Sequence, residues 1–280
     1  MLGQTKLWPW DQRVCCTTDP FPDFFKAGCW QNLSKAKGPL PCNGCVRFRG
    51  PMEIAVIDSG VNPWHSHVQG RVHGLALKKG PSGRVVRSKD YHDQLGHGTA
   101  VAGLIREKAP EASLFAIKIF HDELRASTKV LLAALERAIR MGAKLVHLSL
   151  GTETEQARPA LERICLEAYR KRIVIVASGR NPRDKVYPAS FRTVIGVCWK
   201  RDCSPDDLVY YPGMPVEFGA YGRPRPLPGL PENRNFCGSS FAAARVTALA
   251  ARLLDKNPRA GVRWVRERLR EQATTGGWES

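Results

Sequence analysis

The sequence predicts an α/β protein in which helices cover both faces of a mostly parallel central sheet. From Met52 onward, short apolar runs alternate with longer segments whose apolar residues recur at helical spacing. The short runs are nearly uninterrupted, which is typical of strands buried on both faces. Several of these runs end at a polar residue or a glycine, where parallel sheets collect their functional groups.

Each element follows from a local pattern. The apolar run at 53–57 ends in Asp-Ser-Gly, which indicates a buried strand followed by a turn. The segment 98–105 is small and apolar, as in a buried helix. In 128–141 the apolar residues keep helical spacing, and Gly142 is the expected C-cap. The other predicted strands cover 112–119, 145–150, 173–177 and 193–198, and the other predicted helices cover 158–171, 240–254 and 262–272.

The composition is that of a globular protein with a strongly basic surface. Of the 280 residues, 43% are hydrophobic and 25% are charged, and the formal net charge is +17. The longest apolar runs are far shorter than the ~20 residues of a membrane span, and the first residues lack the apolar core of a signal peptide. We therefore expect a cytoplasmic protein without a membrane partner. The basic charge favours anionic partners, but no nucleic-acid-binding motif accompanies it, so a nucleic acid partner is not expected.

The chain divides into an N-terminal extension at 1–50 and a main domain at 51–280. The extension is rich in cysteine, tryptophan and proline and has little periodicity. We expect it to be irregular and to pack on the main domain, because its tryptophans are costly to leave in water.

Five of the nine cysteines lie in this extension. Cys42 and Cys45 have the C-x2-C spacing of half a structural zinc site. The second half would have to come from Cys15, Cys16 or Cys29, whose spacings are irregular. Reduced thiols without metal are the default expectation in a protein that lacks a secretory signal.

Three short motifs, far apart in the chain, indicate the chemistry. They are IAVIDSG at 54–60, HGTAVAG at 97–103 and GSSFAAARV at 238–246. In order they supply the carboxylate of Asp58, the imidazole of His97 and the hydroxyl of Ser240. An imidazole with a pKa near ~6.5 can take the proton of a serine, and a carboxylate can hold that imidazole in the required tautomer. The motifs thus predict a serine nucleophile, a general base and an orienting acid, a reaction that needs no cofactor.

Together, and in this order, the motifs resemble those of the subtilisin-like serine proteases, the subtilase or S8 family. The resemblance runs from about Met52 to Thr275. It implies a three-layer subtilisin-like fold for the main domain. It also implies a serine endopeptidase that acts through an acyl-enzyme, with Asp58, His97 and Ser240 as its catalytic residues.

The resemblance extends to the substrate-binding segments. In this family an extended substrate pairs with the exposed backbone of one strand. Glycines at 151 and 179 leave room for a sizeable side chain, so we expect an apolar residue before the cut. The resemblance assigns one wall of the primary pocket to Ser149, Leu150 and Gly151 and the other wall to Ala177, Ser178 and Gly179.

The oxyanion hole departs from the family pattern. Subtilases usually place an asparagine after the small-small-Gly turn, and its amide donates to the oxyanion. Here Arg180 has that position and Asn181 follows it. Three alternatives stay open: a one-residue bulge brings Asn181 into the hole, Arg180 donates instead, or backbone N–H groups such as that of Ser240 act alone. The amide chemistry favours Asn181.

Two function classes follow from these patterns. The first is a specialised intracellular endopeptidase that matures a precursor peptide, whose acidic leader would suit the basic surface. The second is a catalytically weak or inactive pseudoprotease that binds peptides. A nucleic-acid-binding role is supported by charge alone.

Overall fold

The structure, a computed structural model, describes residues 52–277 together with the two-residue strand Lys6–Leu7. The predictions for the rest of the extension, including zinc on Cys42 and Cys45, lie outside the described residues. The strands are β1 (Lys6–Leu7), β2 (Glu53–Asp58), β3 (Val72–Lys79), β4 (Val85–Ser88), β5 (Ser113–Lys118), β6 (Ala126–Ser127), β7 (Leu145–Leu148), β8 (Val174–Ser178), β9 (Ile195–Trp199), β10 (Leu208–Tyr210), β11 (Phe218–Ala220) and β12 (Thr274–Thr275). The helices are α1 (His97–Lys108), α2 (Thr128–Met141), α3 (Arg158–Arg170), α4 (Ser239–Lys256) and α5 (Val262–Gln272).

Ten of these strands form one sheet in the order β12-β10-β11-β9-β8-β7-β2-β5-β3-β4. The strands from β11 to β3 in this order are all parallel to their neighbours, and β10 and β4 join them antiparallel. A separate antiparallel pair joins β1 to β6. The predicted α/β class with a mostly parallel sheet is confirmed.

Helices cover both faces of the sheet, as two separate apolar cores show. In β2, Ala55 and Ile57 pack in the core that α2 and α3 complete. Ile54 and Val56 point to the opposite face, into the core shared with α1, α4 and α5. This alternation follows from the two-residue period of a strand, and every residue of β2 is buried.

Helix α2 has the bounds 128–141 that its apolar spacing indicates. Ser127 caps its start by accepting a hydrogen bond from the N–H of Val130 at 3.4 Å. Gly142 ends it with a φ of 78°, a left-handed conformation that suits glycine. The described helices are too short or too polar to cross a bilayer.

Candidate active site

Asp58 is the last residue of β2 and lies at the carboxyl edge of the parallel strands. Its side chain is fully buried. One carboxylate oxygen, Oδ1, accepts a hydrogen bond from the N–H of Ser59 at 2.6 Å and lies 2.7 Å from Nδ1 of His97. Because β2 pairs with β5 on one side and β7 on the other, the position of this carboxylate is fixed by the sheet.

His97 is the first residue of α1, after Gly96 in a left-handed conformation with a φ of 79°. The imidazole is fully buried and contacts the rings of Phe236 and Phe241, with centroid separations of 5.9 and 5.2 Å. Its second nitrogen, Nε2, has no hydrogen-bond partner within the described residues, and the same holds for Oδ2 of Asp58. An unpaired, buried imidazole nitrogen is available to take a proton.

The two groups shift each other's pKa. Burial acts against the charged form of Asp58, but the charge and hydrogen bond of His97, with the Ser149 hydroxyl and the Ser59 N–H, hold the pKa of Asp58 below its ordinary value. Burial alone would lower the pKa of His97. The charge and hydrogen bond of Asp58, with a smaller contribution from the charge of Asp93, raise the pKa of His97 above its ordinary value instead.

Ser240 is the second residue of α4 and is placed by the glycine before this helix. Gly238 has a φ of 139°, a conformation that side chains rarely adopt. The Ser240 hydroxyl donates to the backbone carbonyl of Ser149 at 3.3 Å. The next residue, Phe241, contacts the ring of His97, so α4 brings Ser240 to the same place as the other two residues.

The structure therefore brings the three predicted residues together but joins only two of them directly. No hydrogen bond between Ser240 and His97 forms in the described part of the chain. Both side chains are nearly inaccessible, with 2% of Ser240 and none of His97 exposed. Hydrogen bonds between catalytic groups are often long in the absence of substrate, and substrate must gain access to these groups before any reaction.

A buried carboxylate that sequence reasoning left without a role, Asp93, organises the start of α1. Its Oδ1 accepts from the N–H groups of Leu95 and Gly96 at 3.0 and 2.9 Å. Its Oδ2 accepts from the N–H and the hydroxyl of Thr99 at 2.8 and 2.7 Å. A carboxylate in this position satisfies donors that the first turn of a helix leaves unpaired. Burial, with the charge of Asp58, raises the pKa of Asp93 although these hydrogen bonds oppose the shift.

Ser59 links this carboxylate to the end of β2. Its hydroxyl donates to Asp93 Oδ1 at 2.9 Å and accepts from the N–H of Gly98 at 2.9 Å. The backbones are so close here that a Cβ at Gly98 would lie 2.2 Å from the carbonyl oxygen of Gly60. Ser59, which follows Asp58, and Gly98, which follows His97, are therefore held in fixed positions relative to each other.

The sequence match agrees with this geometry. The model of the subtilase family matches residues 52–279. The chain belongs to the subtilase family. As a subtilase it is a serine peptidase of the subtilisin type and hence a hydrolase.

A crystal structure of a lanthipeptide protease has the same fold, with a TM-score of 0.62 and 20% sequence identity. The alignment covers 82% of this subtilase and 82% of that chain. No curated protein matches the sequence.

A second buried network supports the site of this subtilase from β7. The ring of His147, a residue of β7, is fully buried. Its Nδ1 lies 2.9 Å from the hydroxyl of Thr247 on α4, and its Nε2 lies 2.7 Å from the hydroxyl of Ser149. Burial lowers the pKa of His147 to about 4, so this imidazole is neutral at physiological pH.

The predicted walls of the primary pocket lie side by side at the ends of β7 and β8. Leu148 pairs with Ala177, and the six wall residues that follow from the resemblance are all buried. The expected room at Gly179 is taken, because a Cβ there would lie 2.6 Å from Cγ2 of Val216. This glycine admits Val216, and it opens no space for a substrate side chain on that side.

The predicted oxyanion donors have other partners. The amide nitrogen of Asn181 donates to the carboxylate of Asp184, and its Oδ1 accepts from the N–H groups of Arg183 and Asp184 at 2.9 and 3.1 Å. Arg180 donates to Asp184 and, at 2.8 Å, to Glu153. Both side chains are thus held beside the pocket by acidic neighbours. No group of three possible metal ligands occurs among the described residues.

Proposed function

We propose that this subtilase hydrolyses peptide bonds with Ser240 as nucleophile, His97 as general base and Asp58 as orienting acid. The observation that carries the proposal is the buried 2.7 Å contact between Asp58 and His97, which leaves Nε2 of the imidazole unpaired among the described residues. A neutral imidazole that donates Nδ1–H to a carboxylate must present a lone pair at Nε2. The tautomer that this geometry favours is therefore the one a general base requires.

The reaction would proceed in two halves. Ser240 Oγ attacks the carbonyl carbon and gives its proton to Nε2 of His97, while Asp58 stabilises the imidazolium. Collapse of the tetrahedral intermediate breaks the C–N bond, and the leaving amine takes that proton. Water then attacks the acyl-enzyme with His97 as base, and the proton returns to Ser240. The N–H groups at the start of α4 have no acceptor within the helix, so that of Ser240 is suited to the oxyanion.

We propose a cytoplasmic precursor peptide, matured by removal of an acidic leader, as the natural substrate. The net charge of +17 supports an acidic partner. The shared fold with a lanthipeptide protease, an enzyme named for peptides of one class, supports a dedicated substrate.

A peptide-binding pseudoprotease is the second candidate, and two hydrogen bonds favour it. The Ser240 hydroxyl donates to the carbonyl of Ser149, and the amide of Asn181 is bound to Asp184. A protein that kept this arrangement with substrate bound would lack both an activated nucleophile and a side-chain oxyanion donor.

Labelling with a fluorophosphonate probe separates the two candidates. We expect the wild type to be labelled, Ser240→Ala to be unlabelled, and the neighbouring Ser239→Ala to keep its label. The Ser239 hydroxyl accepts from the N–H of Trp199 at 3.0 Å, a structural contact only. Folded wild type that takes no label would contradict the hydrolytic proposal. Mass spectrometry of the products from a peptide library, half of it with acidic N-terminal segments, then tests the substrate.

A further inference from the structure

A cavity of about 530 Å³ lies between the start of α3, the loop at 185–194, β10 and α5. Its size is in the range of ligand-binding pockets. It adjoins the predicted substrate strand, because Tyr187 lines it and pairs with Thr152, the residue after Gly151. Two backbone hydrogen bonds of 2.8 Å join Tyr187 to Thr152.

The lining of this cavity is strongly basic. Among the described residues that line it, the single carboxylate is that of Glu217, and this group is already paired with two of the lining guanidinium groups. Carboxylates just outside the lining pair with two of the lining cations, Arg158 and Arg270, so the remaining excess of positive charge, which attracts anions, belongs to Lys185 and Arg192. The lining cations are Arg158, Lys185, Arg192, Arg266 and Arg270.

These cations differ in how far they are already bound. Arg266 is largely buried and donates to Glu217 at 2.6 Å and to the carbonyls of Arg192 and Val194 at 3.0 and 2.8 Å, so it holds the loop in place. Lys185 and the guanidinium of Arg192 are exposed and make no ion pair or hydrogen bond within residues 52–277. Among the described residues nothing occupies these two side chains, so they are available to a ligand.

Two buried donors in the lining also lack partners. The hydroxyl of Ser190 and the Nε of Arg270 are inaccessible to solvent and have no hydrogen-bond acceptor in the described part of the chain. Buried polar groups are ordinarily paired. Because solvent does not reach these two donors, a ligand in the cavity would pair with them only after lining side chains move, so the proposal rests on Lys185 and Arg192.

The aromatic lining argues against nucleic acid. Bases bind by stacking on free aromatic faces, but Arg158 lies over the ring of Tyr187 at 5.5 Å and Arg270 lies over that of Tyr210 at 4.7 Å. Phe191 stacks on Tyr187 at 5.2 Å. Carboxylates, by contrast, match guanidinium groups and lysine directly.

We propose that this basic cavity binds acidic side chains of the peptide substrate and so selects precursors with an acidic segment. The proposal rests on the peptide-processing function above. It assigns recognition to a surface beside the pocket, apart from the residues that cut the peptide.

The test is direct binding, so that it does not depend on turnover. Ser240→Ala protein is titrated into fluorescein-labelled octaglutamate, and anisotropy is followed at low and physiological salt. We expect Lys185→Ala/Arg192→Ala in the same background to bind about tenfold more weakly, the size that two exposed charge pairs give. The matched control is Lys79→Ala/Arg87→Ala, which removes one lysine and one arginine at exposed positions of β3 and β4, towards the opposite edge of the sheet. Octaglutamine serves as the neutral probe.

The proposal would be overturned if the two double variants lost the same affinity for octaglutamate, or if neither lost any. Attraction by the overall charge would then explain the binding. An octathymidylate that binds as tightly and is weakened as much would overturn the assignment to a peptide. If octaglutamate does not bind but the wild type is labelled by fluorophosphonate, only the cavity proposal is contradicted. Binding that behaves as expected in a protein that takes no label keeps the cavity as a site for acidic peptides and removes the hydrolytic function.

Discussion

Replacing Asp58 by asparagine removes the negative charge beside His97 while the size and shape of the side chain are kept. The remaining oxygen can still accept from the N–H of Ser59. What is lost is the attraction between a carboxylate and the imidazolium that would form in the proposed reaction, when Ser240 gives up its proton. Since this attraction arises only as the reaction proceeds, we expect the change to lower the rate of the chemical step.

The magnitude follows from the distance. The atoms lie 2.7 Å apart in a site with no solvent exposure, and at an effective dielectric constant of about 20 two unit charges at that distance attract by about 6 kcal/mol. At 1.36 kcal/mol for each factor of ten, this is about 10⁴-fold in rate. Loss of the corresponding carboxylate costs about 10⁴-fold in enzymes with this triad, subtilisin among them, so the figure agrees with known behaviour.

The rate of fluorophosphonate labelling measures this effect without a known substrate. His97 must be neutral to act as a base, so the rate falls as the pH drops through the pKa of His97. Asp58 raises that pKa, and the variant should therefore lose labelling at a lower pH than the wild type does. Asp206→Asn is the control, because it removes a carboxylate whose side chain is 80% exposed and should change neither the rate nor the pH at which it falls.

Two results would refute this account of the triad. One is an Asp58→Asn protein that is labelled within tenfold of the wild-type rate. The other is a loss of labelling at the same or a higher pH, since the charge of Asp58 would then not act on His97.

Three further changes test the surroundings of the triad. Asp93→Asn should also move the loss of labelling to lower pH, though by less than Asp58→Asn, and it should lower the melting temperature. Thr99→Val removes a hydrogen bond to Asp93 but keeps the charge of Asp93, so it should lower the melting temperature only. Burial raises the pKa of Glu53 from 4.5 to about 8, so the free energy of unfolding of the wild type should fall as the pH rises between these values. In urea unfolding, Glu53→Gln should show a free energy of unfolding that depends less on pH and exceeds that of the wild type by several kcal/mol at pH 9. Gly98→Ala should reduce the labelling rate by about 100-fold or more, because its Cβ would displace the start of α1 from the carbonyl of Gly60; a normal rate would show that the site tolerates this shift.

The helices and the buried parallel strands were predictable because their patterns are local. The bounds of α2 and α5 agree with the predicted 128–141 and 262–272, since apolar spacing marks both helices and Ser127 and Gly142 cap the two ends of α2. Parallel strands read as unbroken apolar runs, and the polar residue that ends β2 is Asp58. Because the carboxyl ends of such strands meet at one edge, local patterns also indicated where the chemistry would lie.

The outer strands were not predicted, for a physical reason. The edge pair β3 and β4 is rich in lysine, arginine and exposed positions, so its sequence lacks both an apolar run and regular alternation. The strands β10, β11 and β12 have only two or three residues each. Pairing with neighbours defines such strands, and that information lies elsewhere in the chain.

The hydrogen-bond partners of the site residues could not be predicted from local sequence patterns either. Asp93 and Ser59 meet across 34 positions, and His147 and Thr247 meet across 100. A single polar residue in a loop, such as Asp93, has no period to mark it. Its position a few residues before a helix is the one local sign of a cap.

Two buried networks thus set the geometry of the triad from opposite sides. Ser59 and Asp93 tie the end of β2 to the start of α1 and so fix the contact between Asp58 and His97. His147 ties β7 to α4 through Thr247, and α4 holds Ser240. The hydroxyl of Ser240 alone is placed by a single side-chain torsion, because its backbone is fixed by the helix. We therefore expect rotation about this torsion to turn the hydroxyl from the carbonyl of Ser149 towards the imidazole without movement of either network. In the proposed mechanism, Asp58 and His97 are therefore in contact before substrate binds, and Ser240 is aligned when a substrate pairs with the segment at Ser149 that follows β7.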